Sequence, residues 1–74
     1  MTNRAKERRK IMSVSAVLHE LKKEKINGIH FRNVRNGEIL RSYQNVYEAE
    51  ASEFYQKNTP GYLLAYGHAI IDVM

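Results

Sequence analysis

The sequence predicts a small α+β protein: an antiparallel sheet of three or four strands with two helices on one of its faces, in the order helix, strand, strand, helix, strand. Three observations carry this. Apolar residues from Ile11 to Leu21 recur at the spacing of one helix face, a β-prone stretch is split by Asn36-Gly37, and an acidic helical stretch is closed by "TPG" before the apolar "YLLAYGHAII". A chain of 74 residues makes one domain with one small core, so the reading is a basic extension over residues 1–10 and a single compact domain over 11–74.

Within "NRAKERRKIM", residues 3–12, the extension places Arg4, Lys6, Arg8, Arg9 and Lys10 around one acid before the chain turns apolar. After it, Ile11, Val14, Val17, Leu18 and Leu21 form the apolar stripe of the first helix. Ser13 would cap a helix over 14–25, and Thr2 or Asn3 would cap a longer one that takes in the basic segment. Lys22, Lys23 and Lys25 suit the negative end of the helix dipole, and Asn27-Gly28 would stop it in the left-handed conformation.

"IHFRNVRNGEILRSYQ" then predicts a hairpin on a two-residue type I′ turn at Asn36-Gly37. That turn sets Val34 opposite Ile39, Arg32 opposite Arg41, Phe31 opposite Ser42 and His30 opposite Tyr43. Ile29, Phe31 and Leu40 would face the core, and His30, Arg32, Arg41 and Tyr43 would share the outer face. Asn45 with Glu48 reads as a capping box opening "VYEAEASEFYQKN", with Tyr47, Ala51, Phe54 and Tyr55 on one helix face. Pro60 and Gly61 end it, "YLLAY" reads as a strand, and Gly67 marks either a kink in one C-terminal strand or the turn of a second hairpin.

Composition narrows the function. There is no Cys, hence no disulfide framework and no thiolate metal site, which suits a reducing cytoplasm. The apolar stretch 62–71 is much shorter than the roughly 20 residues of a membrane helix, and no apolar signal segment follows the basic start. Neither a membrane nor a small-molecule substrate is expected. His19, His30 and His68 stand on separate elements without metal-ligand spacing, and Glu48, Glu50 and Glu53 alternate around a solvated helix. The serines lie in no nucleophile elbow and the glycines in no phosphate loop, so the chain reads as non-enzymatic and free of cofactors.

Charge is distributed unevenly. Residues 1–41 hold eleven Lys/Arg against four acids, a net of +7, and residues 42–74 hold one against four, a net of −3, which together give the overall +4. A basic face of this kind suits an anionic partner, either an acidic protein surface or RNA or DNA, although an inert solvated surface has the same composition. The residues that would carry binding are Arg4, Lys6, Arg8, Arg9 and Lys10 for electrostatic attachment, with Arg32, Arg41 and Tyr43 for a specific contact. The same arginines, however, also serve to keep a sheet edge from aggregating. The five Tyr exceed what so small a core can bury, and surplus aromatics beside Arg are common interface anchors.

Residues 43–66, "YQNVYEAEASEFYQKNTPGYLLAY", resemble the strand, Ala-rich helix, Pro-Gly, strand shape of several very small phage proteins, among them phage inhibitors of host RNA polymerase. The resemblance covers about a third of the chain and assigns no residue a role. It implies a stand-alone cytoplasmic regulator that occludes a surface of a large host machine, the transcription machinery and its RNA polymerase being the expected target. Direct binding of RNA or DNA through the same surface is the competing expectation.

Overall fold

The computed structural model describes residues 11–73. The fold is α+β: β1 (Met12–Ser13), α1 (Val14–Leu21), β2 (Gly28–Asn33), β3 (Ile39–Tyr43), α2 (Val46–Glu50), a 3-10 turn (Glu53–Gln56), β4 (Asn58–Thr59), β5 (Tyr62–Ala65) and β6 (His68–Val73). The main sheet has four strands in the order β3-β2-β6-β5, and β1 and β4 form a separate two-stranded ribbon. The sequence predicted antiparallel pairing, and the outer pairs follow it. The central pair β2–β6 is parallel, with Phe31 beside Ile71 and Arg32 beside Asp72.

Helix α1 begins where Ser13 accepts the Ala16 N–H at 3.1 Å, the shorter of the two predicted starts. It ends at Leu21, short of the expected Lys25. The N–H groups of Lys22, Lys23 and Glu24 bond three residues back, tightening the chain into turns. Gly28 does not stop the helix. Its φ is not positive, and it opens β2.

The second helix is shorter than expected and turns a different face inward. The capping box forms, with Glu48 N–H donating to Asn45 Oδ1 at 2.9 Å, and the Glu48 carboxylate accepts from Gln44 N–H. Ser52 then interrupts the helix, its hydroxyl donating to the Ala49 carbonyl at 2.6 Å and accepting from Phe54 N–H. Val46, Ala49 and Phe54 are buried as a result, while Tyr47, Ala51 and Tyr55 are exposed.

One core joins the helices to one sheet face. Val14, Val17, Leu18 and Leu21 from α1 meet Ile29 and Phe31 from β2 and Ala69, Ile71 and Val73 from β6. At its centre Phe31 stacks on Phe54, ring centroids 4.5 Å apart, and meets Tyr43 edge-on. Thr59 is the one polar residue fully buried among those described, and its hydroxyl bonds both the N–H and the carbonyl of Gly61.

The hairpin register departs from the predicted one. Ile29 pairs with Tyr43, His30 with Ser42 and Phe31 with Arg41, and a bulge then sets Arg32 against Ile39. Asn36-Gly37 does not make a two-residue turn. Asn33 N–H donates to the Glu38 carbonyl and Gly37 N–H to the Asn33 carbonyl, closing a four-residue loop over 34–37. Two side chains favour the wider loop: Asn33 Oδ1 accepts from Arg35 N–H and Asn36 Oδ1 from Glu38 N–H. The type I′ geometry occurs instead at Tyr66-Gly67, with φ of 53° and 79°, between the paired residues Ala65 and His68. The C-terminal segment is therefore a second hairpin.

Candidate functional site: the open face and free edge of the sheet

A one-residue change of register moves side chains to opposite faces. The four residues expected to share the outer face of the hairpin are accordingly divided. Arg41 and Tyr43 stand opposite Phe31 and Ile29, on the helix side of the sheet, where Tyr43 packs against the core and Arg41 stays exposed. Leu40, expected in the core, is exposed beside the bulge. Arg32 and His30 remain on the open face. Arg4, Lys6, Arg8, Arg9 and Lys10 lie outside the described residues.

Two polar groups cross the centre of the open face. Arg32 donates from Nε to Asp72 Oδ1 at 2.6 Å and from Nη2 to Oδ2 at 3.1 Å, and this hydrogen bonding, ahead of simple charge attraction, holds the guanidinium proton above its usual strength. Beside it, His30 Nδ1 stands 2.7 Å from Ser42 Oγ, and His30 Nε2 stands 3.1 Å from His68 Nδ1. For nucleophilic chemistry a serine–imidazole pair needs an oxyanion site and a cleft that excludes water. This one lies on an exposed sheet surface.

Around these groups the surface is apolar. Ile70 and Leu63 continue the row of Ser42 and His30 toward the β5 edge, and Ile39 extends the row of Arg32. All four residues of β5 are exposed, Leu63 at 52%, and among the described residues no strand pairs with its outer edge. Tyr66 follows directly. Its side chain is 97% exposed on a backbone with φ of 53°, a conformation that costs a bulky residue roughly 1–2 kcal/mol.

On the helix side, a shallow groove of about 140 Å³ lies between Leu21, Lys22, Ile26, Val46 and Tyr47, well under the roughly 300–1,000 Å³ of small-molecule pockets. Lys22 sits at its rim, bound to Glu50 at 2.9 Å and 5.4 Å from the centre of the Tyr47 ring. Among the described residues no helix is long and apolar enough to cross a membrane.

Sequence reasoning offered the Gly67 turn as one of two alternatives and read "YLLAY" as a strand, but it missed that this strand is an open edge and that His30 meets His68. Nothing local connects two histidines 38 positions apart. Compared with models of known families, with curated proteins and with solved structures, the chain has no match.

Proposed function

We propose that this chain is a small non-enzymatic docking protein that binds a larger protein assembly through the outer edge of β5, the Tyr66 turn and the adjoining open face. The observation that carries this reading is the exposed apolar edge strand that ends in a left-handed, solvent-facing tyrosine. Soluble proteins ordinarily blunt such edges with charge, proline or a bulge, and Tyr62–Ala65 carries none of these. A partner strand added there would gain main-chain hydrogen bonds, with Leu63 and Tyr66 supplying side-chain anchors.

The edge and the tyrosine both fall within the stretch resembling phage inhibitors of RNA polymerase, which makes the transcription machinery the leading partner and the cytoplasm the compartment. Arg4, Lys6, Arg8, Arg9 and Lys10 would speed the encounter by steering. The second reading, direct binding of RNA or DNA, rests on the basic first half of the chain. The hairpin contributes less to it than the sequence suggested, because Asp72 neutralises Arg32 and Arg41 lies on the other face.

The test is a pull-down from bacterial lysate, with and without nuclease, using the parent chain and a Leu63→Asp variant. A discrete protein complex that survives nuclease and is lost with Leu63→Asp supports docking. Recovery of nucleic acid alone would replace it with the second reading.

A further inference from the structure

We propose that His30 and His68 bind one divalent transition-metal ion of the imidazole-preferring class, such as Zn²⁺, Ni²⁺ or Cu²⁺. The first support is the spacing of the donors. His30 Nε2 and His68 Nδ1 are 3.1 Å apart. With metal–nitrogen bonds of about 2.0–2.1 Å, two nitrogens on one ion stand about 2.9–3.4 Å apart as the bond angle runs from square to tetrahedral. The ring centroids are 5.3 Å apart, and the two nitrogens now face each other. Without metal they share a hydrogen bond, and the ion would take the place of its proton.

The second support is Gly28. A Cβ there would stand 2.8 Å from His68 Nδ1 and 3.3 Å from His30 Nε2, so both donor atoms converge over the one strand position that has no side chain. The φ of Gly28 lies outside the left-handed region, so its backbone places no demand for glycine. The two rings do. Third, Ser42 Oγ lies 2.7 Å from His30 Nδ1, the ring nitrogen that would not bind metal. A proton on Nδ1 donated to Ser42 leaves the Nε2 lone pair for the ion and fixes the ring, as outer-shell partners of metal-binding histidines commonly do, while the His68 proton that Nε2 otherwise accepts shifts to the other nitrogen of the His68 ring.

The site is carried by neighbouring sheet strands, Gly28 being paired with His68 across β2–β6, which gives it a rigid base. Among the described residues no third His, Cys, Asp or Glu joins the pair, and Asp72 is engaged by Arg32. Water takes the remaining coordination positions, as in an open site.

The test is a calorimetric titration of the untagged, chelator-treated full chain with Zn²⁺, with histidine ring resonances followed by NMR. One ion per chain is expected, shifting the resonances of His30 and His68 and not of His19. His30→Ala or His68→Ala should weaken binding tenfold or more, Ser42→Ala about tenfold, and His19→Ala not at all. All four positions are surface-accessible, and metal-free urea midpoints confirm that each variant is folded. No binding by the parent, or equal binding by the parent, His30→Ala and His68→Ala, would overturn the proposal.

Discussion

Arg32 and Asp72 hold each other through two hydrogen bonds across the central parallel strands, leaving the guanidinium without spare charge for a polyanion. Asp72→Asn should release it. In anisotropy titrations with a labelled single-stranded oligonucleotide, that variant should steepen the log-log salt dependence by about 0.7 if one more phosphate is contacted. Arg32→Ala should leave the slope at the parent value. A slope lowered by Arg32→Ala would mean that Arg32 contacts phosphate in spite of Asp72.

Phe31 is fully buried and stacked on Phe54 at the junction of sheet and helices. Phe31→Ala removes both aromatic contacts and should cost about 3–5 kcal/mol. Domains of this size start near the lower end of about 5–15 kcal/mol, so the variant should be largely unfolded at room temperature. Urea unfolding followed by circular dichroism measures the loss, and Phe31→Leu should recover part of it.

Tyr66→Asn should separate stability from binding. Asn tolerates the left-handed conformation that a type I′ turn demands, so the variant should gain about 0.5–1 kcal/mol. It should nevertheless bind the partner assembly less well, because the exposed ring is lost. Gly67→Ala should be destabilising, since its φ is 79° and the new Cβ would approach Asn27 Nδ2 to 2.6 Å. Gly37→Ala meets open space and should cost only the backbone penalty of roughly 1 kcal/mol.

Lys22 holds its proton more strongly than an ordinary lysine, chiefly through its hydrogen bond to Glu50. A folded-state value above the unfolded one gives a contribution complete below the ordinary 10.5 and lost as pH rises through the raised value. Relative to Glu50→Gln, the parent should therefore have the higher urea midpoint near neutrality, and the gap should close on the alkaline side. The gain is small because the pair is open to solvent. A gap that widened with pH would contradict the assignment.

What the sequence revealed was local. The Ser13 cap, one of the two starts the sequence offered, the Asn45–Glu48 box and the apolar stripe from Val14 to Leu21 are decided within one or two helical turns and form, whereas Ile11, expected in that stripe, precedes the helix and is exposed. Asn36-Gly37 misled because Asn33, three residues earlier, offers the chain a competing side-chain hydrogen bond that widens the loop, and the one-residue bulge beyond that loop moves Arg41 and Tyr43 to the other face. The second helix was overextended because Ser52 is read as an ordinary helical position until its hydroxyl is seen bridging Ala49 and Phe54. The His pair depends on a parallel partnership between β2 and β6, which no local periodicity encodes.

The position of β6 has a kinetic consequence. Among the described residues it is the last strand in chain order and the one on which the sheet closes, pairing with β2 on one side and β5 on the other. Until it arrives, β2 and β3 can form a hairpin, but β5 has no neighbour. Joining Phe31 to Ile71 closes a loop spanning most of the described chain. Such long-range contacts recover the entropy of closure only late in folding. The protein should thus fold slowly for its size, and a chain stalled before β6 docks would expose the apolar edges of two strands at once to other nascent chains.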